Sequence, residues 1–225
     1  MRDVSEKELF ETTPIPKAVA TLAIPTILSQ IVTMIYNLAD TFFIGQIGNP
    51  SMVAAISLVS PWFNLLTALG NLFGLGAGSL ISRMMGSGQK EKIRFVSSFS
   101  IWCGILVTFL FLVFTFLFQT PLLQFLGASL DSMTYAKEYL FWVVVIGGIP
   151  TMVSLTLGHL LRSEGFARMA SGGMMFGGIL NVILDPVLIF GLHLDVTGAA
   201  MATAFSNSAS VFFFLESYRR LKGRS

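Results

Sequence analysis

The chain has 225 residues, of which 54% are hydrophobic and only 12% charged, at a net charge of +2. A water-soluble domain carries roughly 25% charged residues, so this composition, with a mean hydropathy of +0.76, excludes an ordinary soluble fold. The small net charge gives no footing for a nucleic-acid partner, and a single cysteine, Cys103, excludes an intrachain disulfide or a thiolate metal cluster.

The first seventeen residues, MRDVSEKELFETTPIPK, are polar and of mixed charge. They read as a cytoplasmic segment rather than a basic stub leading a cleavable apolar core. Six apolar segments follow, each near or above the roughly 20 residues that cross a bilayer as a helix. They are predicted at 18–45, 52–82, 95–118, 135–161, 169–190 and 196–217. The fold class expected is therefore all-α and integral to the membrane, a six-helix bundle over 18–217. The links are short and turn-rich, as in Gly45–Pro50, Gly86–Lys90, Gly127–Asp131, Arg162–Gly165 and Gly191–Asp195, and none is long enough for a soluble domain. Residues 218–225 form a basic tail.

Charge sets the expected orientation. Every Lys and Arg except Lys137 falls before the first span, after the sixth, or in the second and fourth links. All these positions lie on one side of a six-span chain, and the positive-inside rule puts that side, with both termini, in the cytoplasm of a cell-membrane protein. Lys137 falls at the far-side end of span four, and no Lys or Arg is assigned to a span interior. Pro25, Pro61, Pro150 and Pro186 fall inside spans one, two, four and five, where each removes a backbone hydrogen bond and bends or weakens its helix. Pro25 is the hinge candidate because it shares a helix with Asp40. Gly70, Gly74 and Gly78 recur every four residues along span two and predict a smooth face for close helix packing.

Asp40 is the only charged residue or histidine between Lys17 and Arg83, and Asp185 the only one between Arg168 and His193. An ionised Asp at the centre of a membrane helix costs roughly 2.5–3.5 kcal/mol on insertion scales, so intramembrane acids mark ion or substrate handling. Spans one and five run in the same direction, and each acid lies a similar distance from the far end of its span. At a rise of about 1.5 Å per residue the two sit at one depth. Asn181 precedes Asp185 by one turn, Tyr36 precedes Asp40 by one turn, and Thr203 of span six and Tyr139 of span four reach the same level. Asp40, Asp185, Asn181, Thr203, Tyr36 and Tyr139 offer hard oxygen ligands, a set suited to a proton or Na⁺ rather than to zinc or copper. His159 is placed near the membrane interface. The sequence has no Walker A motif, no HExxH, and no Gly-x-Gly-Asp around either acid. A built-in ATP motor, a zinc protease and an intramembrane aspartyl protease are disfavoured in turn, and no enzyme is expected.

The strings IPTILSQIVTMIYNLADTFFIGQIG and SMVAAISLVSP, then ISRMMGSGQKEKI, LRSEGFARMA, GGILNVILDPVLIFG and DVTGAAMATAFS, occur in that order over nearly the whole chain. Together they resemble the amino-terminal half of multidrug and toxic compound extrusion (MATE) transporters. The resemblance implies a secondary antiporter that exports drugs or other small organic compounds, cationic amphipathic ones among them, in exchange for H⁺ or Na⁺, without a bound cofactor. It implies two six-helix lobes around a central cavity, and a cation site at Asp40, Asn181, Asp185 and Thr203 with Tyr36 and Tyr139 beside it. Pro25 matches a proline linked to bending of the first helix. Six spans instead of twelve imply that this chain is one lobe, with 218–225 as the start of the cytoplasmic inter-lobe linker, to be completed by a second lobe or a second copy. A lipid-linked precursor flippase of the same superfamily is the alternative, disfavoured by the expected lack of span-interior cations, and a di-aspartate membrane enzyme is a more distant one.

Overall fold

The computed structural model describes residues 14–222, and every structural statement below concerns those residues. The basic residues Arg2, Lys7 and Arg224, used above for orientation, lie outside them. Helices α1 (Ile15–Gln46), α2 (Pro50–Gly86), α3 (Lys90–Leu117), α7 (Ala167–Pro186) and α8 (Asp195–Lys222) form spans one, two, three, five and six. Span four is a bent pair, α5 (Leu130–Leu140) and α6 (Gly148–Ser163), joined by a π-helical turn at Phe141–Ile146. A short helix, α4 (Gln119–Phe125), precedes it and buries Leu123.

Local chemistry fixes the ends. The Asn49 side chain accepts from the Ser51 amide at 3.0 Å, and Pro50 follows as the first helical residue of α2, where its missing N–H costs nothing. Ser129 and Ser132 cap each other at the start of α5. Gly88 and Gly165 turn the second and fourth links at φ +74° and +93°, angles closed to most side chains. The fifth link makes its corner with His193 and Asp195 at φ 53° and 47°.

Span four departs from the sequence expectation. The bend, 46°, falls at Gly147 and not at Pro150. Pro150 sits in the first turn of α6, where no intrahelical partner for its nitrogen exists to be lost. A Cβ at Gly147 would lie 2.8 Å from the Val143 carbonyl oxygen, so the tight turn depends on glycine. Span five also changes winding, from α-helix to a π turn at Val187–Gly191 directly after Pro186. Around Pro25 and Pro61, by contrast, α1 and α2 remain continuous. A second correction concerns charge. Lys137 lies within α5 and Arg162 in the last turn of α6, so the spans do contain cations, and their supposed absence no longer counts against a flippase.

The buried core lies between α2, α6, α7 and α8. Toward the end opposite the basic residues it gathers Ala55, Val59, Leu66, Leu140, Val144 and Ile189; toward the basic end, Leu157, Leu161, Ala170 and Phe214. The glycine stripe of α2 brings α2 and α6 into close contact. A Cβ at Gly70 would stand 3.0 Å from Leu155 Cδ1, and one at Gly74 would stand 2.8 Å from His159 Cδ2. Beside it, His159 Nε2 and Asn71 Oδ1 share a hydrogen bond at 3.1 Å. Gly74→Ile is therefore expected to push α6 off α2 and break that bond, at about 1–3 kcal/mol. Thermal unfolding in detergent reads the loss, and a variant as stable as the parent contradicts the packing argument. Helix α1 is held differently. It lies mainly against α7, barely meets α2, and leaves Ile27, Ile31, Met34, Leu38 and Phe42 exposed.

Candidate functional site

The contact between α1 and α7 sets the register of the acids. Gly178 gives α7 a flat spot: a Cβ there would stand 3.0 Å from Tyr36 Cδ1 and 3.2 Å from Val32 Cγ1. With the two helices running the same way, one further turn brings Asp40 level with the stretch from Asn181 to Asp185. The carboxylates interact electrostatically, and both act on Tyr139, which also feels Tyr36. Asp185, Asn181 and Tyr139 are buried, at 0%, 3% and 7% exposure, while Asp40, Tyr36 and Thr203 are half-buried. Asn37, the neighbour of Tyr36 in sequence, is exposed and points elsewhere.

Winding contributes as well. Asp185 is followed by Pro186 and a π turn, and Tyr139 nearly abuts the other π turn. π turns in membrane helices re-aim side chains and often accompany functional sites. The turn after Asp185 packs closely on α8, since a Cβ at Gly198 would stand 2.8 Å from the Leu188 carbonyl carbon.

The hydrogen-bond inventory of the cluster is unbalanced. Asn181 Nδ2 donates to Thr203 Oγ1 at 3.5 Å, and the Thr203 hydroxyl donates to the Ala199 carbonyl at 3.2 Å. Both carboxylate oxygens of Asp185, Oδ1 of Asp40 and Oδ1 of Asn181 are buried and receive no hydrogen bond. Nearly all buried acceptors in proteins are satisfied. Four unmatched oxygens, three of them carboxylate, make a poor static core. They fit a proton shared between carboxylates or a small hard cation with oxygen ligands.

Next to the cluster, toward the basic end, a cavity of about 90 Å³ is lined by Tyr36, Asn181, Thr203, Ser206, Asn207 and Ser210, among others. Asn207 Nδ2 donates to Thr151 Oγ1 at 2.8 Å, and Thr151 donates onward to the Gly147 carbonyl at 2.7 Å, at the bend of span four. Ser206, Asn207 and Thr151 are not among the residues expected from the sequence. Asn207 follows Thr203 by one helical turn, and that spacing is a signal that could have placed it on the same face. Pro25 lies in α1 fifteen residues before Asp40 and takes no direct part in the cluster.

The MatE family model matches residues 25–187. The multidrug export protein MepA of Staphylococcus aureus (strain NCTC 8325 / PS 47) is 37% identical over 206 residues, which is 92% of this chain and 46% of the relative. MepA of Staphylococcus haemolyticus is 36% identical over 211 residues, 94% of this chain and again 46% of the relative. Among solved structures, the outward-facing conformation of a multidrug resistance MATE family transporter superposes with a TM-score of 0.87 at 28% identity, over 95% of this chain and 47% of that one. The chain thus spans about half the length of the relatives it matches.

Proposed function

The chain belongs to the MATE family, and on that premise we propose that it forms the amino-terminal lobe of a cation-coupled exporter of small organic compounds. The observation that carries this reading is the set of four buried, unmatched oxygens on Asp40, Asn181 and Asp185. In this reading H⁺ or Na⁺ is held by Asp40, Asn181, Asp185 and Thr203, with Tyr36 and Tyr139 shaping the approach. Both termini face the cytoplasm, and a second six-helix lobe, from the same polypeptide or another copy, completes the central cavity.

Coupling follows from repulsion and loose packing. Two carboxylates at one depth repel while both are charged, and a bound proton or cation relieves that repulsion. One acid sits on α7, which is packed within the lobe, and the other on α1, which packs little elsewhere. The cheapest response to cation binding is a shift of α1, with Pro25 as its pivot. The same acids, when free, attract a cationic amphipathic substrate. Cation binding then lowers substrate affinity, which is the exchange an antiporter requires.

The test uses full-length protein in proteoliposomes with an imposed H⁺ or Na⁺ gradient. Asp40→Asn is expected to uncouple export from the gradient, and unchanged coupling in that variant sinks the assignment. Pro25→Ala restores the missing N–H and stiffens α1. It is expected to slow export about tenfold, the equivalent of about 1.4 kcal/mol, while equilibrium cation binding stays as in the parent. A loss of cation binding in Pro25→Ala would remove Pro25 from the pivot role.

A further inference from the structure

A second charged group lies in an apolar setting far from the acids. Arg162, in the last turn of α6 at the basic end, reaches toward α1 and α7. Its Nε is buried and has no hydrogen-bond partner, and its Nη2 donates to the thioether sulfur of Met174 at 3.4 Å, a weak acceptor. Among the described residues no carboxylate pairs with it. A cavity of about 370 Å³ opens beside the guanidinium, walled by Val19, Ala23, Thr26 and Ile27 of α1, and among the described residues Arg162 is the only charged one lining it. His159, one turn earlier on α6, is engaged with Asn71 and does not line this space.

The guanidinium is half-buried, with Nε shielded from water and no carboxylate partner among the described residues, so it keeps donors to offer an anion. Its planar fork of donors matches a carboxylate or a phosphate bidentately, better than any thioether. The α1 wall supplies what an anion alone does not need: an aliphatic surface next to the charge. We propose that Arg162 and this wall form a recognition site for the carboxylate or phosphate group of an amphiphile, whose hydrocarbon portion lies along Val19, Ala23 and Ile27. The site is independent of the acid cluster and of cation coupling. Its polarity is opposite to that of the cluster, so a molecule bearing both signs finds a partner at each end of the lobe.

The probe is 1-pyrenebutyrate, with its methyl ester as the uncharged control, titrated by pyrene fluorescence into full-length protein in a non-ionic detergent. The parent is expected to bind the carboxylate about tenfold or more tighter than the ester, the scale of one charge-assisted pair. Arg162→Gln is expected to erase that preference and leave ester binding unchanged, which also shows that the variant is folded. Ala23→Leu fills the wall while keeping the charge, and is expected to weaken both ligands. A carboxylate preference that survives Arg162→Gln, or binding indifferent to Ala23→Leu, overturns the proposal. Two further arms separate the sources of the anion. Displacement of the probe by added phosphatidylglycerol assigns the site to a lipid phosphate, whereas Arg162-dependent export of pyrenebutyrate from vesicles assigns it to cargo.

Discussion

Asp185→Asn in the full-length protein is expected to abolish cation-coupled export and to weaken cation binding by a factor of about 30 or more. The figure follows from the usual 2–5 kcal/mol lost when one member of a desolvated charge pair is removed. Asp185 is expected to contribute more to cation binding than Asp40 for a physical reason. It has no exposed surface, and both its carboxylate oxygens lack a donor, whereas Asp40 is half-buried with one such oxygen. An amide in its place keeps the size but removes the charge that draws the ion and the proton acceptor that an H⁺-driven cycle needs. Asp40→Asn should therefore be the milder change in equilibrium binding, though it also uncouples transport. Titration of the purified protein with Na⁺, and with H⁺ by a pH-sensitive dye, measures both variants. Should Asp185→Asn bind and export like the parent, Asp185 is a solitary core acid and the cluster has no coupling role.

Much of this site could be read from the chain because membrane insertion makes charge informative. An acid alone in a 20-residue apolar run is expensive, so Asp40 and Asp185 stood out with no structure in hand. Their shared depth followed from span direction and helical rise alone, and Asn181, Tyr36, Tyr139 and Thr203 followed from that depth. The winding could not be read the same way. The π turns at Phe141–Ile146 and Val187–Gly191 lie in plain apolar sequence, FWVVVI and VLIFG; Pro186 marks the start of the second, but no residue announces the first. Pro150 is the one proline within span four, yet the bend falls at Gly147, because a proline in a first helical turn breaks nothing. By its charge and the turn residues after it, Arg162 reads as part of a link. The helix runs one residue past it, and the long arginine side chain turns back over apolar surface. Short helix α4 hid in the same way, between a long apolar span and a capped one.

The second large effect separates geometry from chemistry. Gly178→Leu changes none of the proposed ligand residues and alters only the surface on which α1 rests. A Cβ at this position already stands 3.0 Å from the Tyr36 ring and 3.2 Å from Val32, and leucine adds three more carbons there. Because α1 is held chiefly by α7 and exposes most of its other faces, the helix is expected to move aside while the α2–α6–α7–α8 core stays folded. Asp40 then leaves the level of Asp185, and cation affinity falls at least about tenfold, because a cation held by Asp185 loses the attraction of the second carboxylate. Gly172→Ala on the same helix is the control. Its Cβ would rest 3.6 Å from Phe213, an ordinary contact, and cation binding should be unchanged. Cation titration together with thermal unfolding decides the matter. Weakened binding with the unfolding midpoint nearly preserved means that the acids act as one site only while α1 is seated on Gly178. Parent-like binding in Gly178→Leu means that something other than this contact holds the two acids together.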